Sequence, residues 1–376
     1  MAQLEIISDG VLFRNPLAGH RVVNSYLPTV LAPTEGEWVG VHRRGTAFYS
    51  HDGVLAVLRS TDEGTTWKEE GLVHDPRKDV TPYTYSAPFL SRLRDGTLTL
   101  SAMRHDCTVP DRLMVNPDTG GFLPVETLLF RSHDNGRSWS TPQVIEMPDG
   151  IIAYVSGPVI EMPDGGWFLA FDLGKAYDDP LPVQAEMLAL FSSDQGQSWG
   201  DLHRFAGISP EEQKAFWHGR VIALKSGRLF TLLWTQDLRS QKFIDLHLTT
   251  SDETGRHWDA PQPTAIPAQT SWAVDLGNGR MFAAYTVREL DPPGIRGVLS
   301  GDAGKSWDLD RNVVIWDATG RETIGVPSRD AYPASHDVIA FGRPHAAATP
   351  GGDVLVSYWC TEACVTQSRW CRLRVK

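Results

Sequence analysis

Apolar runs bounded by turn residues recur from one end of the chain to the other. Val54-Leu55-Ala56-Val57-Leu58 and Glu126-Thr127-Leu128-Leu129-Phe130 are two of them, and each reads as a strand entering a hairpin. A polar box follows each run. Ser60-Thr61-Asp62-Glu63-Gly64-Thr65-Thr66-Trp67 recurs as Ser132 to Trp139, Ser192 to Trp199 and Ser300 to Trp307. Thr250 to Trp258 is a variant with one extra residue. The chemistry of the box is that of a turn. Its Asp accepts backbone N–H groups, its Gly supplies positive φ, and its Ser or Thr hydroxyl adds a local bond. The closing Trp anchors the turn against a neighbouring sheet. These aspartates are therefore structural.

A second repeat interleaves with the first. Upstream of each box lies an extended segment, a Gly turn and another apolar strand: Tyr26 to Arg43, Tyr85 to Arg104, Val155 to Asp172, Trp217 to Trp234 and Ser271 to Val287. Phe341 to Trp359 is a sixth such hairpin, and a strand without a box follows it at Ser368 to Val375. Each unit thus predicts four antiparallel strands. The sixth unit lacks its outer strand, and the N-terminal segment Leu4 to Phe13 is free to supply it, which removes an exposed edge. The expected fold is all-β: a six-bladed β-propeller of four-stranded antiparallel blades, its ring closed by the N-terminal strand. Residues 1–376 then form a single domain.

Composition narrows the function classes. A net charge of −11 argues against a nucleic-acid-binding surface, which would need a basic face, and no run of 18 apolar residues offers a membrane span. The N-terminus has no basic segment followed by an apolar core, so the expectation is a cytoplasmic protein, a trimmed leader giving the same appearance. Cys360, Cys364 and Cys371 lack the paired spacing of a zinc site, and no His-x-x-x-His or nucleotide-binding glycine motif appears. No metal and no cofactor are expected.

The interleaved boxes and hairpins resemble the sialidase superfamily, whose boxes are known as Asp-boxes or BNR repeats. The resemblance spans essentially the whole chain. It implies a sugar site in the funnel opposite the box turns, where sialidases use an arginine triad, an Asp acid and a Tyr–Glu nucleophile. The motifs depart from that pattern in three places. Tyr26-Leu27-Pro28 stands where sialidases have Arg-Ile-Pro. Asp52 is the available counterpart of the acid, and Phe341-Gly342-Arg343-Pro344 occupies the place of the nucleophilic Tyr, with Tyr332 nearby in sequence.

The residues expected at the funnel mouth form a set suited to an anionic ligand. Arg43, Arg44, Arg104, Arg288 and Arg343 are candidate carboxylate binders, and Trp217 and His218 are candidates for sugar contact. Asp52, Tyr85, His105, Asp237 and Glu362 are the candidate catalytic groups, with Asp106 and Asp172 as further acid–base candidates. Trp234, Trp272 and Trp359 offer flat faces for stacking. The leading expectation is a sialidase-like glycoside hydrolase acting on an acidic or decorated sugar, not a strict sialidase. Asp52 would be its acid, with Glu362 or Asp237 as partner. The alternatives are a lyase on a uronate sugar, with Tyr85 or His105 as base, and a non-catalytic carbohydrate-binding propeller.

Overall fold

The computed structural model of the chain describes residues 3–288, 292–320 and 340–376. The boxes form the turns that their composition predicts. In the first, Ser60 Oγ donates to Asp62 Oδ1 at 2.8 Å and accepts from Gly64 N at 2.7 Å, while Asp62 Oδ1 accepts from Thr66 N at 2.8 Å. Three other boxes repeat this pattern around Asp134, Asp194 and Asp302. The box with the extra residue departs from it. There Ser251 Oγ donates to the Asp252 carbonyl, and His257 Nδ1 donates to the Asp252 carboxylate. The hydrogen bonds of Ser138 and Ser198 hold the Asp134 and Asp194 carboxyls down at about 2, so both stay ionised within their turns.

These turns connect strands that are antiparallel throughout. After β1 (Leu4–Phe13), the first sheet is β2 (Asn24–Thr34), β3 (Glu37–Gly45), β4 (Val54–Ser60) and β5 (Lys68–Leu72). The second is β6 (Tyr83–Arg92), β7 (Leu98–Asp106), β8 (Val125–Ser132) and β9 (Gln143–Ile145). In the third unit the first strand is split into β10 (Ala153–Val155) and β11 (Ile160–Glu161), followed by β12 (Trp167–Leu173), β13 (Glu186–Ser192) and β14 (Gly200–Ser209). The fourth is split likewise: β15 (Lys214–Trp217), β16 (Ile222–Ala223), β17 (Leu229–Asp237), β18 (Lys242–Thr250) and β19 (Gln262–Pro263). A short β14–β15 pairing joins these two units into one ten-stranded sheet. The fifth sheet is β20 (Ser271–Gly277), β21 (Arg280–Val287), β22 (Gly294–Ser300) and β23 (Val313–Asp317). The last is β24 (Phe341–Ala348), β25 (Val354–Glu362) and β26 (Val365–Val375), completed by β1, which pairs antiparallel with β26 from Leu4↔Val375 to Phe13↔Ser368.

Burial follows the strand order. The first two strands of a unit are buried almost continuously, as in β2, β7 and β17, because neighbouring sheets cover both of their faces. The fourth strands, such as β5 and β14, have no buried residue. Each unit packs on the next, and β2 packs on β24, β25 and β26 of the last sheet. Tryptophans mark this last seam: Trp38 and Trp370 meet edge-on with ring centres 5.1 Å apart. Cys360 and Cys371 are buried thiols in β25 and β26, and Cys364 is exposed at the turn between them.

The seam leaves no room at the first box turn. A Cβ at Gly64, where φ is +87°, would lie 2.5 Å from Trp38 and 2.6 Å from Trp370. Gly36 has a similar φ of +80° with nothing within 4 Å. We expect Gly36→Ala to lose about 1 kcal/mol from backbone strain alone. Gly64→Ala should lose roughly 2–4 kcal/mol, because overpacking adds to the strain. Urea denaturation of the two variants checks this, and equal losses would remove the seam as a constraint.

Candidate functional site

Local backbone geometry carries side chains from the first strands into one cleft. β2, β6 and β24 each break register near a proline, between Tyr26 and Thr29, Ser86 and Phe89, and Gly342 and His345. The residue before the proline has left-handed φ in each: Leu27 at 53°, Ala87 at 49° and Arg343 at 45°. In the fourth unit His218, at φ 51°, sits in the break between β15 and β16. Such a conformation costs a non-glycine residue about 1–3 kcal/mol, so the surrounding sheets must hold it. Leu27, Ala87, His218 and Arg343 all line the cleft, which has a volume of about 240 Å³.

Aromatic rings and two long loops wall the cleft. Phe48, Tyr49, Phe122, Tyr154, Trp217, Trp234 and Trp359 face it. Trp359 packs edge-on to Tyr26 with ring centres 5.3 Å apart, and Trp217 and Trp234 pack on Phe243. Trp272 lies elsewhere, between Phe89 and His345. The β7–β8 and β12–β13 loops grip one another, with Thr119 Oγ1 donating to Tyr177 O at 2.6 Å and Lys175 Nζ to Thr119 O at 2.9 Å.

Three guanidiniums from successive units reach this space. Arg343 lies over the Phe89 ring at 4.0 Å and donates to Pro88 O at 3.1 Å. Arg220 lies over the same ring at 5.1 Å and donates to Ser156 O at 2.8 Å. Arg288 donates to Phe341 O at 2.7 Å and to Gln269 Oε1. Burial pushes the Arg288 guanidinium down to about 10. Burial, with repulsion from Arg220, pushes Arg343 well below its ordinary value. Arg288 Nε and Arg343 Nη1 are buried with no partner among the described residues. Sequence reasoning singled out Arg288 and Arg343 but missed Arg220. The available signal was positional: His218-Gly219-Arg220 stands where other units carry the proline bulge.

Beside the guanidiniums stands a histidine–carboxylate couple. The buried Asp172 accepts from His218 N at 2.6 Å, from His218 Nδ1 at 2.9 Å and from Ser156 Oγ at 2.7 Å. Burial pushes the Asp172 carboxyl up, but His218, Arg220 and Ser156 together outweigh it and hold it below the usual range. With Nδ1 committed to Asp172, Nε2 has no hydrogen-bond partner among the described residues. The ring stacks on Trp234 and its side chain keeps 28% of its surface exposed. Such a group can move a proton to or from a ligand in the cleft.

The other expected site residues are not brought to this cluster. Arg43 is fully buried and donates to the Tyr85, Ala47 and Ser50 carbonyls, fixing the β3–β4 loop on β6. Arg44 pairs with Glu69, and Arg104 with Glu126 and Asp79 while covering the Tyr83 ring. All three have local partners and none lines the cleft. Asp52 bonds Thr46 N and Oγ1 within its loop. Burial favours its protonated form, yet the bonds from Ser50 and Thr46 prevail and keep it lowered, as in a turn cap. Tyr85 lies in the core between β-sheets and donates to Asp79 at 2.5 Å; burial raises its phenol. Asp237 caps a turn through Ser240 N and Oγ, and Glu362 accepts from Trp316 Nε1, Arg369 and Gln367. Asp106 caps Thr108. Tyr332 lies outside the described residues.

His105 does line the cleft, but as a neutral buried ring. Its Nδ1 donates to Leu123 O at 3.3 Å, its Nε2 accepts from Ser86 Oγ at 3.4 Å, and burial pushes it down to about 4. His345, buried behind Arg343, is pushed down to about 3. The unfolded chain takes up these protons near pH 6.5, while the folded chain resists them until about pH 4. Stability should therefore fall as pH drops from 6.5 towards 4. For each group, a tenfold difference in proton affinity between the folded and unfolded chain is worth about 1.4 kcal/mol. Thermal unfolding midpoints across that range check this, and His105→Asn should flatten the slope.

Comparison with known proteins bears on these observations at the level of family and fold. No functionally curated protein matches the sequence. A Dyadobacter fermentans protein of unknown function superposes with a TM-score of 0.72 at 19% identity, over 99% of both chains. The microbial sialidase Hz136 from a Hadza source superposes with a TM-score of 0.64 at 16% identity, over 94% of this chain and 67% of that one. The Trypanosoma rangeli sialidase in complex with sialic acid gives 0.61 at 14% identity, over 93% and 54%. These likenesses are of fold. The repeats themselves are recognised independently, because residues 112–335 match the BNR repeat-like domain. The chain therefore belongs to the BNR repeat-like domain family.

Proposed function

We propose that the six strand units are the blades of one closed propeller domain spanning residues 1–376, and that its cleft cleaves a glycosidic bond beside an acidic sugar. The observation that carries this reading is the convergence of Arg220, Arg288 and Arg343 beside the Asp172–His218 couple. Guanidiniums recognise carboxylates through paired N–H donors, and the aromatic walls suit the apolar face of a sugar ring. Fold likeness to sialidases supports a carbohydrate ligand by analogy.

The side chains in the cleft fit β-elimination better than two-carboxylate hydrolysis. Asp52, Asp237 and Glu362 are held in turns and ion pairs, so the hydrolytic pair expected from the sequence is not assembled among the described residues. In the elimination, a guanidinium neutralises the uronate carboxylate and makes the hydrogen on the adjoining carbon acidic. His218 Nε2 takes that proton, the freed electron pair forms the C4–C5 double bond, and the C4–O bond breaks. The imidazolium then returns its proton to the departing sugar oxygen. Asp172 stabilises the transient charge on the ring. Hydrolysis is the second reading: the same His218–Asp172 couple can protonate a leaving group, and two of the superposed structures are sialidases.

Incubation with uronate oligosaccharides separates the two. Elimination gives an unsaturated product that absorbs in the ultraviolet, and hydrolysis gives a saturated reducing sugar. Neither product across uronates and sialosides would leave only binding. His218→Ala should lower kcat by about 10²–10⁴-fold in a protein that still folds, with a lower unfolding midpoint because the buried Asp172 loses its Nδ1–H donor. Arg343→Gln should abolish turnover without loss of stability, because it removes a buried charge that has no carboxylate partner among the described residues. If Arg343→Gln instead unfolds the protein, the residue is structural and the placement of the site is wrong.

A further inference from the structure

A serine hydroxyl stands between one guanidinium of the cleft and the histidine–carboxylate couple. Ser156 lies in the break between β10 and β11, fully buried, with its N donating to Ala170 O at 2.8 Å. Its Oγ accepts from Arg220 Nη1 at 2.5 Å and donates to Asp172 Oδ2 at 2.7 Å. Chemistry fixes this direction, because a guanidinium can only donate and an ionised carboxylate can only accept. Asp172 Oδ2 also accepts from His218 Nδ1 at 2.9 Å. Arg220, Ser156, Asp172 and His218 therefore form one hydrogen-bonded chain, in which serine and imidazole share a single carboxylate oxygen.

The other charges of the cleft are engaged elsewhere. Glu186 pairs with Arg204, and Lys175 bonds the Thr119 and Leu181 carbonyls. Arg288 bonds Gln269 and Phe341 O, and Arg343 bonds Pro88 O. The rings against His218, those of Trp217 and Trp234, carry no charge. Among the described residues both hydrogen bonds of Arg220 are made by Nη1, which leaves Nε and Nη2 for a ligand.

A donor that itself accepts from a cation is a stronger donor. The Arg220 charge thus strengthens the Ser156 bond to Oδ2, at the expense of the His218 bond to the same oxygen. A carboxylate bound at Arg220 offsets that charge. Oδ2 then turns to Nδ1–H and stabilises the protonated ring. We propose that Ser156 is a positioning residue, through which a carboxylate on Arg220 strengthens His218 as a base. The inference rests on the acidic-sugar reading above and adds the link between binding and proton transfer.

NMR titration of the His218 imidazole tests it, the signal being assigned by its loss in His218→Asn. Ser156→Ala should raise the proton affinity of the ring about threefold to tenfold, since Oδ2 then serves His218 alone. Ser156→Cys, with a weaker donor of similar shape, should move it the same way by a smaller step. Unfolding midpoints verify that the variants are folded, and an unmoved titration in both overturns the proposal. Arg220→Met should also raise the affinity, but less than half as far in the Ser156→Ala background as alone. Effects that simply add in the double variant overturn the relay. Saturating glucuronate should raise the affinity further in the wild type than in Ser156→Ala, and an equal rise overturns the link to the ligand. No glucuronate binding to the wild type overturns the acidic-sugar reading, and the variants alone then decide the relay.

Discussion

Pleated strands point alternate side chains into the neighbouring sheets and none along the strand axis. The left-handed bulge before proline solves this geometric problem. At Leu27, Ala87 and Arg343 the chain slips register and turns one side chain out of the sheet plane. Continuous burial of β2, β6 and β24 on both faces holds residues that would relax elsewhere. The same break in the fourth unit delivers His218 and Arg220. The lining of the cleft depends on this one backbone device, repeated in four of the units.

A second consequence concerns stability. Arg288 and Arg343 are buried charges supported by carbonyls and aromatic faces instead of carboxylates. His105 and His345 are imidazoles kept neutral by the same burial. Each opposes folding, and the apolar seams between sheets must offset them. Polar groups concentrate this way where binding is selected ahead of stability. By contrast the fully buried Arg43 has a partner for each nitrogen, a satisfied arrangement that ties a loop to a strand. Equal burial thus covers two different cases: an arginine with every nitrogen satisfied, and two that each keep a nitrogen without a partner among the described residues.

The architecture was largely legible in the order of residues. The box turns are local: Ser, Asp and Gly within five residues complete their own hydrogen bonds, so their pattern survives in the sequence as a pattern. Pairing of Leu4–Phe13 with the last strand followed from an edge that needed covering. The site was legible only in part. Arg288, Arg343, Trp217, His218 and His105 lie on the cleft as expected, whereas Arg43, Arg44, Arg104, Asp52, Tyr85, Asp237 and Glu362 do not.

The reason is the range of the forces involved. Sequence by itself determined turns, strand order and the repeat, because these rest on contacts between residues a few positions apart or on strand pairing that any regular repeat imposes. Which arginine finds a carboxylate was decided by tertiary structure alone. Arg44 meets Glu69 across two strands, while Arg343 meets Arg220 and Phe89 from other units. Side chains at equivalent strand ends therefore look alike in the sequence and differ in the fold by what the neighbouring sheet places against them.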